Sequence, residues 1–119
     1  MTREAHEGGC HCGAVRYRVT VDLAEPVLEC NCSHCSVKGF LLAFAPASYF
    51  EQLAGADSLT EYRFNRHRIG HLFCTTCGVQ AFGRGSGQDG SEMVAVNIRS
   101  LDGVDLDALE RKAIDGRSF

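Results

Sequence analysis

Seven cysteines in a chain of 119 residues limit what this sequence can become more than any other feature. None of them is isolated. Cys10-His11-Cys12 is a CxC, Cys30-Asn31-Cys32-Ser33-His34-Cys35 a CxCxxC, and Cys74-Thr75-Thr76-Cys77-Gly78 a CxxCG. Groups with such short spacings signal metal ligation rather than a disulfide framework, and an odd number leaves one thiol over in any complete pairing. Geometry favours the same reading. In extended chain, residues i and i+2 point to one side, so CxC presents two thiolates together. CxxC followed by glycine makes a tight knuckle, because glycine accepts positive φ and lets backbone N–H groups turn toward the sulfurs.

Counting ligands divides the set. A structural zinc takes four protein ligands, whereas a catalytic zinc keeps three and an open position. Cys10, Cys12, Cys74 and Cys77 come from two distant stretches, and a metal held by them would clip those stretches together. Cys30, Cys32 and Cys35 come from one short loop. The expectation is therefore two Zn²⁺ per chain, one closed and structural at the quartet, one open and catalytic at the trio. Three other divisions stay open at this level: a single zinc with three spare thiols, a second closed site completed by a histidine, and buried unligated thiols. For the closed site His67 and His71 are candidates. His34 would strain to share the metal of neighbouring Cys35, and His11, between two ligands, should point away from them.

Period-2 alternation dominates the rest of the chain. Val15, Tyr17, Val19 and Val21 share one face against Arg16, Arg18, Thr20 and Asp22, which reads as a half-buried strand. Tyr62 and Phe64, and Val94, Val96 and Ile98, alternate in the same way. Residues 72–74 and 79–82 look like strands flanking a turn, and residues 40–45 like a strand buried on both faces. Ser48 with Glu51 resembles a capping box and Gly55 a stop, predicting a short helix over residues 49–54; a second is expected within residues 105–112. The glycines at 83, 85, 87 and 90 read as an exposed loop. The fold class expected is mainly β, a small zinc-stapled antiparallel domain with short helical connections, spanning residues 1–119 with its core in 8–109.

Composition narrows the function. The formal charge is −3, and seven thiolates on two zinc ions would take it to about −6. That balance disfavours a nucleic-acid partner, which usually meets a basic face. No window approaches the roughly 20 apolar residues of a membrane span, and the polar N-terminus has no signal-peptide core, so no membrane partner is expected. Free thiols fit a cytoplasmic location.

The blocks GGCHCGAVRY at 8–17, CNCSHC at 30–35, FCTTCGVQAF at 73–82 and VAVNIRSLDGVDLDAL at 94–109 together resemble the glutathione-dependent formaldehyde-activating enzyme family, also called the GFA and centromere-protein-V family. The likeness runs from about Gly8 to Leu109. It implies a β fold of the Mss4-like type, with Cys10, Cys12, Cys74 and Cys77 as structural zinc ligands and Cys30, Cys32 and Cys35 as catalytic ones. It also implies a carbon–sulfur lyase, forming or cleaving a thiol–aldehyde adduct such as S-hydroxymethylglutathione, with a small-molecule thiol adduct, glutathione among the candidates, as partner. The segment between Cys35 and Cys74 is shorter than in the named enzyme, and Asn31 stands where many relatives carry histidine. Asn31, Ser33 and His34 are candidate second-layer donors or proton carriers around the trio. Lys38, Arg63, Arg66 and Arg68 are candidate contacts for glutathione carboxylates, although a solvated strand face would account for them equally. The alternative function is a non-catalytic zinc module that binds a protein partner, which has no need of an open metal position.

Overall fold

The computed structural model describes residues 3–63, 69–86 and 90–115. Among these, alternation becomes ten strands: β1 Glu4–Gly9, β2 Arg16–Val21, β3 Val27–Cys30, β4 Leu42–Pro46, β5 Phe50–Ala54, β6 Leu59–Tyr62, β7 Ile69–Cys74, β8 Phe82–Ser86, β9 Glu92–Asn97 and β10 Arg111–Ile114. One α-helix, α1, covers Ser33–Lys38. The strands form a three-stranded sheet, β1-β2-β5, and a seven-stranded sheet, β10-β3-β4-β9-β8-β7-β6. Every ladder is antiparallel except β3–β10, which is parallel. No helix in the described residues is long and apolar enough to cross a membrane.

The main core lies between the two sheets. Val15, Tyr17 and Val19 are fully buried against Phe82, Val94, Val96 and Ile98, as the alternation of both segments requires. Three rings lock the contact: Tyr17 sits 5.4 Å from Phe50 and 6.0 Å from Phe82, with Phe50 and Phe82 4.6 Å apart. Burial pushes the Tyr17 hydroxyl up to about 12, against the opposing effect of its 2.5 Å hydrogen bond with Ser100 Oγ.

Register decides the other face of the large sheet. Leu28 pairs with Leu42, and Leu42 with Asn97; Phe44 pairs with Ala95, Ala95 with Gly83, Gly83 with His71 and His71 with Tyr62. Paired residues share a face, so these side chains lie opposite the main core. A second apolar cluster forms there. Cys35 of α1 joins Phe40 and Leu42, packed by Leu28, Cys30, Cys32 and Ala95.

Several local expectations give way to pairing. Residues 49–54 are not a helix: a 3₁₀ turn at Ala47–Tyr49 leads into β5, which takes the free edge of β2. Glu51, read as a capping residue, instead meets Arg18 at 3.1 Å across the ladder. Residues 105–112 form a 3₁₀ turn at Leu106–Ala108, capped by Asp105, followed by β10. Residues 40–45 are not covered on both faces throughout. Leu42 is buried, but Phe44 is 48 % exposed. Gly83 and Gly85 belong to β8 rather than a loop, held between β7 and β9. Of residues 79–82 only Phe82 is strand. Phe64, Arg66, His67, Arg68 and Gly87 lie outside the described residues.

Candidate metal centres

The fold gathers the seven thiols into two clusters, Cys10, Cys12, Cys74 and Cys77 in one and Cys30, Cys32 and Cys35 in the other; within each, the sulfurs all lie within 4.8 Å of one another. All seven are free thiols.

The quartet stands where the two sheets meet. The CxC follows β1 of the small sheet, and the CxxCG begins at the last residue of β7 in the large one. Both knuckles turn on glycine in the left-handed region, Gly13 at φ 84° and Gly78 at φ 79°. The turns are closed by backbone bonds from Gly13 N–H to Cys10 O at 3.3 Å and from Gly78 N–H to Cys74 O at 2.8 Å. Backbone donors also reach sulfur: Val15 N–H donates to Cys10 Sγ at 3.3 Å, and Thr76 N–H to Cys74 Sγ at 3.4 Å.

Two sulfur separations decide what this cluster fits. Cys10 and Cys12 sulfurs are 3.6 Å apart, those of Cys12 and Cys74 3.7 Å. A disulfide would need about 2.05 Å. Four sulfurs at about 2.3 Å from one ion have tetrahedral edges of about 3.8 Å, so these separations match the edges of a thiolate tetrahedron. The protonation pattern agrees. The Val79 and Cys12 N–H groups hold Cys77 down to about 6, and the Cys77 and Thr76 N–H groups lower Cys74. Cys12 goes the other way, up to about 11: the Ala14 N–H favours its thiolate, but the neighbouring sulfurs, Cys10 first, outweigh it. The backbone therefore favours thiolates that repel one another at close range, which a cation would relieve.

The trio is built around the start of α1, a helix the sequence reading did not include. Cys30 ends β3. Cys32 is the N-cap, its sulfur accepting from Cys35 N–H at 3.3 Å. Gly39 closes the helix and Lys38 occupies its last turn; this Lys-Gly ending was the available signal. Burial, the largest single effect, opposes ionisation of Cys32, but the hydrogen bonds from the Cys35 and His34 N–H groups and from the Cys35 and Cys30 thiols together outweigh it and lower the thiol. Burial raises Cys35, with the Cys32 and Cys30 sulfurs adding to the effect. Among the described residues no histidine, aspartate or glutamate joins this cluster. His71 is thus not a fourth member, and neither is His34.

Those two histidines face each other, His34 from α1 and His71 from β7. The His34 ring is 4.0 Å from that of His71, 5.8 Å from Tyr62 and 5.8 Å from Phe40. His71 is buried, and its Nδ1 is 3.3 Å from Gln80 Nε2, another buried polar group. Burial, then the charges of His34, Lys38 and Arg63, pushes His71 down to about 4; burial and Lys38 also lower His34. Lys38 Nζ lies 5.9 Å from the Phe40 ring and 5.8 Å from that of Phe73. Arg63 is turned to Glu61 at 2.6 Å. Asn31 donates through Nδ2 to Asp115 Oδ1 at 3.1 Å; neither Asp115 nor Gln80 was singled out by sequence, because each acts on a residue remote in the chain.

The family model described as glutathione-dependent formaldehyde-activating enzyme matches residues 5–113, which include all seven cysteines. The chain belongs to this family. A crystal structure of a Rhodobacter sphaeroides protein is similar over almost its whole length: it is 33 % identical, with 91 % of this chain and 99 % of that chain covered and a TM-score of 0.79. The family match takes in both clusters, so the quartet and the trio belong to the shared part of the fold.

Proposed function

We propose that this family member is a zinc-dependent carbon–sulfur lyase that forms or cleaves a thiol–aldehyde adduct, such as S-hydroxymethylglutathione, at Cys30, Cys32 and Cys35. The observation that carries this reading is the composition of the trio: three clustered thiols and no fourth ligand among the described residues. Cys10, Cys12, Cys74 and Cys77, with four converging sulfurs where the sheets meet, would hold a second, structural zinc. The protein would work in a reducing compartment, the cytoplasm, where these thiols stay free.

Zinc at the trio would supply Lewis-acid activation, lowering the pKa of a substrate thiol. In the forming direction the thiol sulfur bonds to the aldehyde carbon. The carbonyl π pair moves to oxygen, which takes up the proton the thiol gave up; cleavage is the reverse. The chain's own residues would orient the partners and manage that proton. His34, between Cys32 and Cys35 in sequence and seated among three rings, is the candidate carrier. Lys38, at the end of the same helix, would attract a substrate carboxylate such as those of glutathione.

The test is zinc content per chain together with NMR exchange between glutathione, formaldehyde and their adduct, with and without protein. Two zincs and an acceleration lost in Cys32→Ala are expected. Two zincs with no acceleration of this or any other thiol–aldehyde pair would overturn the lyase assignment in favour of a protein-binding zinc module.

A further inference from the structure

The C-terminal strand ends on the cysteine trio. β10 runs parallel to β3 with Ile114 opposite Cys30, and its start is tied by Val27 N–H donating to Glu110 O at 2.8 Å. Beyond the ladder two more bonds converge on Asn31, the residue between the first two thiols. Its backbone N–H donates to Ile114 O at 3.1 Å, and its side-chain Nδ2 donates to Asp115 Oδ1 at 3.1 Å. In an extended CxC the middle side chain points away from both sulfurs. Here that outward side chain is tied to a carboxylate 84 residues further along the chain. The family match stops at residue 113, so Asp115 lies beyond the shared segment.

We propose that Asp115 is a positioning residue for the trio, holding Asn31 from behind and so setting the spacing of Cys30 and Cys32. Two hydrogen bonds to one residue, one through its backbone and one through its side chain, restrict the torsions that orient the flanking thiols. A carboxylate acceptor makes the side-chain bond stronger than a neutral one. Cys30 and Cys32, on either side of Asn31, are the two partly exposed members of the trio, whereas Cys35 is buried, so bracing at Asn31 acts on the pair that packing holds least. The inference rests on the reading of the trio as a metal site.

The test uses the full-length chain and Zn²⁺ alone, titrated against a competing chelator, with Co²⁺ absorption as a second readout of thiolate geometry. The binding step absent from Cys35→Ala belongs to the trio. Removing a residue that bonds a metal ligand itself typically weakens metal affinity 10- to 100-fold, and for a partner one step further back the lower end, about 10-fold, is expected. Asp115→Ala and Asn31→Ala should each weaken the trio by that factor, shift its Co²⁺ spectrum and leave the quartet unchanged. The double variant should be no weaker than either single one. Asp115→Asn keeps an acceptor oxygen and should recover most of the affinity. Unchanged trio affinity in Asp115→Ala, losses shared equally by the quartet, or additive losses in the double variant would overturn the proposal. A trio that takes up no metal even in the unmodified chain would remove this inference and the lyase reading together. A trio that binds zinc tightly and depends on Asp115, yet accelerates no exchange, would remove the lyase reading alone.

Discussion

Replacing both Cys10 and Cys12 by serine should cost far more stability than any change in the trio. The double replacement matters, because three remaining thiols could still hold an ion; two confined to one knuckle no longer link the sheets. Serine preserves side-chain volume and an acceptor for the Val15 N–H, so the loss isolates the link itself. Cys12 and Cys74 are 62 residues apart. Closing a loop of that length is worth about 4 kcal/mol of chain entropy. Mass action gives a similar figure, about 4 kcal/mol for an ion present at a thousand times its dissociation constant. The trio is different. Its candidate ligands lie within six consecutive residues, so the unfolded chain can go on holding the ion, and only the preference for the folded arrangement, about 1.4 kcal/mol for a tenfold difference, adds to stability. In a domain of this size, about 4 kcal/mol corresponds to a drop in Tm on the order of 15 °C. Thermal unfolding followed by circular dichroism, with and without chelator, measures both effects. A Cys10→Ser/Cys12→Ser protein melting within a few degrees of the unmodified chain, or a Cys35→Ser protein losing as much, would refute the reasoning.

The His71 environment predicts a pH effect of definite sign. Its folded value of about 4 lies below the unfolded value of about 6.5, so the unfolded chain binds the extra proton first and stability falls as pH drops from about 6.5 to 4. His71→Leu should remove on the order of 2 kcal/mol from the difference in unfolding free energy between pH 7 and pH 4; an unchanged difference in urea titrations would contradict the burial argument. Phe82→Ala, at the centre of the three-ring contact, should lower stability by about 3–5 kcal/mol in the same assay. A loss below about 1 kcal/mol would mean the core can collapse around the gap.

The grouping of the thiols was legible in the chain itself. Ligand spacing is a local property, and i, i+2 geometry brings a CxC together wherever extended chain forms, so the quartet and trio could be separated by counting. Alternation in residues 15–21 and 94–98 was equally local, and both segments are buried as their pattern demands. What a segment pairs with is not local. The Ser48 and Glu51 signal spoke for a helix, but the free edge of β2 and the packing of Phe50 on Tyr17 won. The parallel partner of β3, the seat of His71 beside Gln80, and the reach of Asp115 to Asn31 were decided only when the chain closed. Each is a hydrogen bond whose donor and acceptor lie apart in sequence, and its energy exists only after the core has brought them together. The grouping of the candidate ligand thiols was therefore determined by sequence, while the residues that surround them were determined by tertiary structure.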